Sequence, residues 1–101
     1  MMEVRRTPQF AQWLRQLRDR EARIRIASRI ERLAEGNPGD VRPVGEGISE
    51  LRVNHGPGYR VYYAQRRNVT ILLLLGGNKS TQATDIQKAK ELAREWREGD
   101  P

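Results

Sequence analysis

Ile71-Leu72-Leu73-Leu74-Leu75 is an unbroken apolar run that ends at Gly76-Gly77. Five residues are far too few to span a membrane. Side chains alternate between the two faces of a strand, so a run with no polar member predicts a strand covered on both sides. Such a strand is central in its sheet, and the segments around it have to supply its neighbours.

Those neighbours are legible upstream. Ser49, Leu51 and Val53 alternate with Glu50, Arg52 and Asn54, then Asn54-His55-Gly56-Pro57-Gly58 makes a turn. Tyr59, Val61 and Tyr63 alternate with Arg60, Tyr62 and Ala64 on the returning strand. Gln65-Arg66-Arg67-Asn68 is a second turn, leading into a third strand over residues 69–75. Residues 2–6 form a short candidate strand, and residues 40–47 are a connector with room for a short edge strand.

Helical spacing occupies the flanks. Thr7 is the expected N-cap and Pro8 the first helical residue, with Phe10, Trp13, Leu14 and Leu17 on one stripe. A second helix is predicted over residues 19–35, with Ile26, Ile30 and Leu33 inward and Arg25, Arg29 and Arg32 on a solvated face. Gly36-Asn37-Pro38-Gly39 stops it. A last helix starts between Thr81 and Asp85, with Thr84 and Gln87 at capping-box spacing and Ile86, Ala89, Ala93 and Trp96 as its stripe. Gly99-Asp100-Pro101 is read as a frayed tail. The predicted fold is one α+β domain over residues 1–101, in the order β-α-α-β-β-β-α. An antiparallel sheet of about four strands carries a helical hairpin on one face, and its other face stays partly open.

Charge narrows the function. The net charge is +6, and the stretch from Leu51 to Thr84 has no acidic residue while carrying Arg52, Arg60, Arg66, Arg67 and Lys79. A rigid sheet offering guanidinium groups without carboxylates beside them suits a polyanion, RNA or DNA first. Only three of the 19 basic residues are lysine, and arginine grips phosphate at two points. An arginine-rich codon bias is the plain alternative. With no cysteine there is no disulfide or thiol nucleophile, which fits a reducing compartment. The first six residues lack the apolar stretch of a signal peptide. The expected protein is soluble and cytoplasmic, with no metal and no cofactor.

Arg60 is the leading site candidate, because a mid-strand arginine needs water, an acid partner or an anionic ligand. A cross-strand pair with Glu50 is the structural alternative. Arg52 follows the same logic. Lys79 precedes a helix start, where free backbone N–H groups and positive charge suit a phosphate. His55 is the single group that titrates near neutrality, either a proton-transfer residue or a polar turn residue. Tyr62 and Tyr63 point to opposite faces, one into the core and one free to stack on a base.

Gly47-Ile48-Ser49-Glu50-Leu51-Arg52-Val53, Gly58-Tyr59-Arg60-Val61-Tyr62-Tyr63, the strand ending in Gly76-Gly77, and Lys79-Ser80-Thr81-Gln82 together resemble the RelE/ParE superfamily of bacterial toxins. Within it, the chain is similar to the HigB-like, phage Gp49-related addiction module killer branch. The resemblance implies the toxin of a type II toxin–antitoxin pair. It implies a metal-independent, ribosome-dependent mRNA endoribonuclease (mRNA interferase) with Arg60, Lys79, His55 and Arg52 as catalytic groups and Arg66, Arg67 and Tyr62 on the RNA. The implied partners are messenger on the ribosome and a HigA-like helix-turn-helix antitoxin. A lysine pair of some ribonuclease members is replaced here by Ile48, Ser49 and Glu50, and Asp85 stands near a tyrosine of others. A ParE-like gyrase inhibitor and a non-catalytic nucleic-acid-binding homologue are the alternatives.

Overall fold

A computed structural model describes residues 1–99, with side chains through Trp96. The part of the expected tail at Asp100 and Pro101 lies outside the described residues. Element order is β1 (Glu3–Arg6), α1 (Pro8–Gln16), α2 (Arg20–Ala34), β2 (Val41–Gly45), β3 (Ile48–Val53), β4 (Tyr59–Arg66), β5 (Thr70–Asn78), a 3₁₀ turn (Lys79–Thr81) and α3 (Gln82–Gly99).

The α+β class holds, and the sheet has five strands rather than about four, ordered β1-β5-β4-β3-β2. The connector before β3 is a full strand that pairs antiparallel with it, despite Pro43. An edge position tolerates that missing N–H. β1 runs parallel to β5, with Val4 opposite Ile71, and so carries the chain's first residues to the far side of the central strand.

Both helix starts follow the sequence. Thr7 caps α1 by accepting from the Phe10 amide at 3.0 Å, and its own hydroxyl donates to the Leu74 carbonyl at 2.6 Å. Asp19 caps α2 by accepting from Ala22 N–H at 3.1 Å. Each cap satisfies an amide that the helix cannot bond itself. α3 starts at Gln82, within the expected window, but its expected capping pair is not the one used. Asn78 and Thr81 make a capping box on the 3₁₀ turn that leads into it, six residues before the Thr84 and Gln87 pair.

The expectation of a partly open second face is corrected by two buried layers. Phe10, Ile26, Leu33, Leu51, Val61, Tyr63, Ile71 and Leu73 pack beneath α1 and α2. On the opposite face Ile48, Tyr62, Ala64, Leu72 and Leu74 pack against Ala89, Leu92 and Ala93 of α3. The apolar run requires this, because its even and odd members face opposite ways.

Gly76 and Gly77 do not end the strand; β5 continues through Asn78. Their role is close approach. A Cβ on Gly76 would overlap the Trp13 indole, and one on Gly77 would overlap the Asp85 carboxylate and Thr81 hydroxyl. Each glycine lets one helix layer press directly onto the backbone of the sheet.

Candidate nucleic-acid interface

At the α3 N-terminal end of the sheet the apolar layer gives way to a polar cluster. Glu50 on β3 is fully buried and stands opposite Tyr62 in the β3–β4 register, while Arg52 stands opposite Arg60. The Glu50 carboxylate accepts from Arg60 Nη1 at 2.8 Å, from the Tyr62 hydroxyl at 3.2 Å and from Gln82 Nε2 at 2.8 Å. Arg52 Nε sits 4.0 Å from that carboxylate and 4.0 Å from Asp40 Oδ2. A buried carboxylate needs such partners, since burial without them costs several kcal/mol, on the order of the penalty for an uncompensated ion. Burial, then the Glu50 charge, pushes the Tyr62 phenol well above its usual range.

Arg52, Arg60 and Lys79 line one cavity of about 360 Å³, together with Asp40, Val53, Asn54, Gly58 and Tyr59. Lys79 is placed there by its own amide, which donates to the Gly58 carbonyl at 2.9 Å. Arg60 is 8% exposed, so only its margin reaches the cavity, whereas Arg52 is half-buried and Lys79 exposed. These three candidates are brought together.

The other predicted residues are not. His55 occupies the β3–β4 turn, and its Nε2 lies 3.0 Å from Asp19 Oδ2. Its ring stacks on Tyr59, which meets Trp13 edge-on at 6.3 Å, within the layer beneath α1 and α2. The histidine is thus drawn to the opposite face from Arg60. The Ala22 amide and the His55 partner hold the Asp19 carboxyl below its ordinary value. Arg66 ends β4 and Arg67 opens the turn after it, so Arg66 is about 20 Å along the strand from Arg60 at 3.3 Å per residue. The Arg66 guanidinium there covers the Trp96 ring at 4.4 Å. Tyr62 and Tyr63 are both buried, at 0% and 4% exposure, so neither offers a free ring face for a base. That corrects Tyr62 as an RNA-stacking residue: the second helix layer turns both sheet faces into core.

Two further expectations change. The acid-free stretch is acid-free only along the chain, because Glu50, Asp40 and Asp19 come from outside it to Arg60, Arg52 and His55. Arg29 is only half-exposed, and its guanidinium turns to the protein. It donates to the carbonyls of Arg52 at 2.7 Å, Pro38 at 3.1 Å and Asp40 at 3.3 Å, fixing α2 to β3 behind the cavity. Burial lowers its pKa from the usual arginine value. Glu50, Gln82, Arg29 and Asp19 were missed as site residues. Glu50 had a signal, its place one alternation from Arg52; Gln82 had only its position after Lys79-Ser80-Thr81.

No helix among the described residues is long and apolar enough to cross a membrane. An uncharacterized protein of Haemophilus influenzae is 46% identical over 94 residues, covering 93% of this chain and 95% of its own length. Residues 12–97, which include every member of the cavity and of the Glu50 cluster, match the phage-derived Gp49-like proteins (DUF891). The chain belongs to that Gp49-like family, a toxin-like family related to addiction modules.

Proposed function

We propose that the protein is the toxin of a HigB-like addiction module and acts as a metal-independent endoribonuclease on ribosome-bound messenger. The observation that carries this reading is the convergence of Arg52, Arg60 and Lys79 on one cavity. Three cations suit a phosphodiester. The 2′-hydroxyl attacks the adjacent phosphorus in line, the 5′-oxygen leaves, and the products are a 2′,3′-cyclic phosphate and a free 5′-hydroxyl. Charge develops on the phosphoryl oxygens, so positioned guanidinium and ammonium groups stabilise the transition state more than the ground state. In this scheme Lys79 and Arg52 contact the phosphate and Arg60 backs them. The protons of this step pass through solvent, because His55, tied to Asp19, lies on the opposite sheet face from Arg60 and out of reach of this phosphate. Arg66 and Arg67 extend the basic surface along the strand. A helix-turn-helix antitoxin would cover the cavity until release, and the cytoplasm is the compartment this activity requires.

One observation favours a second reading. Glu50 already occupies Arg60, as a scaffold that poisons gyrase through a protein surface would allow. Inducible expression separates the two. The ribonuclease reading expects growth arrest with new cuts inside ribosome-bound messenger, both lost in Lys79→Ala and Arg52→Ala. Arrest with intact messenger and an induced DNA-damage response would replace it with gyrase inhibition.

A further inference from the structure

We propose that Glu50 is a positioning residue, the anionic clamp that orients Arg60 and, through Gln82, ties the Lys79 turn to the same point. This inference rests on the nucleic-acid reading of the cavity and assigns the internal support of that site.

Three observations carry it. Arg52 and Arg60 are direct cross-strand neighbours, and like charges so placed repel. The carboxylate beside both of them, 2.8 Å from one and 4.0 Å from the other, belongs to Glu50. Next, Gln82 is the first residue of α3 and follows directly on the turn that begins at Lys79. Its amide donates to Glu50 Oε2 at 2.8 Å, so one carboxylate holds both the strand arginines and the helix that brings the lysine. Last, among the described residues Arg60 makes its one hydrogen bond to Glu50, while its buried Nε has no partner. The guanidinium is thus held at a single point beneath the cavity, an arrangement that fixes its charge in place.

The clamp also sets the resting charge. Glu50 offsets Arg60, and Asp40 stands 4.0 Å from Arg52 in the same cavity, which leaves Lys79 as its cation farthest from a carboxylate partner.

The test uses the full-length chain with Glu50→Gln, which keeps shape and removes charge, and Gln82→Ala at a half-buried site. Messenger cleavage on programmed ribosomes gives kcat and KM, and the nitrogen–proton NMR signal of Arg60 Nε in the free protein reports the guanidinium. Loss of the clamp in Glu50→Gln should lower kcat about 100-fold, as a misplaced catalytic group does. KM should stay within roughly 3-fold, since uniform binding is not what the clamp supplies. The Arg60 signal should broaden or shift. Gln82→Ala should lower kcat about 10-fold by loosening the Lys79 turn. Wild-type kcat in Glu50→Gln, or an unmoved Arg60 signal, would overturn the proposal and leave Glu50 a structural residue. Should Glu50→Gln fail to fold, the same two readouts on Gln82→Ala decide it, and wild-type values overturn it. Should the wild type cut no messenger, the ribonuclease reading falls by itself, and the Arg60 signal decides the clamp.

Discussion

At the scale of single residues, Arg60 and Glu50 show how a charged strand position is resolved. Removing one member of a buried ion pair leaves the other uncompensated, so Arg60→Ala is expected to destabilise the fold by ~3–5 kcal/mol. Replacing both together, Glu50→Leu with Arg60→Met, should recover part of that loss in chemical denaturation, the remainder reflecting the Tyr62 and Gln82 donors left without Glu50. A loss of toxicity in Arg60→Ala therefore reports folding as much as phosphate binding, and Lys79→Ala and Arg52→Ala are the cleaner probes. Tyr62 adds a pH signature. Its folded-state pKa is raised above the unfolded value of 10.0, by burial first and Glu50 second. The stability tied to its neutral form is complete below that value and falls as pH rises through the alkaline range above it. Tyr62→Phe should flatten that fall, leaving the smaller share from Tyr63, in melts run between neutral and alkaline pH. The facing of Glu50 toward Arg60 was legible from strand alternation. That the pair would be sealed was not, because the lid is Gln82, 32 residues further along the chain.

At the scale of elements, local signals were sufficient and long-range ones were not. The α1 stripe of Phe10, Trp13, Leu14 and Leu17 packs as its spacing requires, and Thr7 and Asp19 cap where their chemistry suits. Gly76-Gly77 looked like a strand terminator since glycine breaks local patterns. Its actual cause, two helices pressing onto one strand from opposite sides, needs partners more than sixty residues apart in the case of Trp13. The same limit hid the parallel β1–β5 pair. Gly76→Ala should therefore cost at least ~1–3 kcal/mol, the range for overpacking a filled core, because the indole has to move. A thermal melt checks it, and Trp13→Ala in the same chain should offset part of the loss. At the other cap, Asp19→Ala should lower the melting temperature through the lost N-cap bond to Ala22. Its carboxylate contributes fully above the unfolded value of 3.8 and loses its effect as pH falls through the lower folded value, so the deficit of this variant should shrink in acid.

At the scale of the whole molecule, net charge of +6 survives folding, but its distribution is not what the linear sequence suggests. Folding brings acids from outside the acid-free stretch to its central residues and leaves Lys79 and Arg52 as the cations open to solvent at the cavity. Recognition of the scaffold came from motif order along nearly the whole chain; the division of labour among the basic residues needed the register and the depth of each side chain. The most direct test of a phosphate-binding cavity is the salt dependence of binding to a non-cleavable single-stranded RNA. Neutralising one phosphate of a single strand contributes about 0.7 to the slope of log affinity against log salt. Lys79→Ala should weaken binding and reduce that slope by about 0.7. A Lys79→Ala protein that binds RNA with the wild-type slope and affinity would contradict the account.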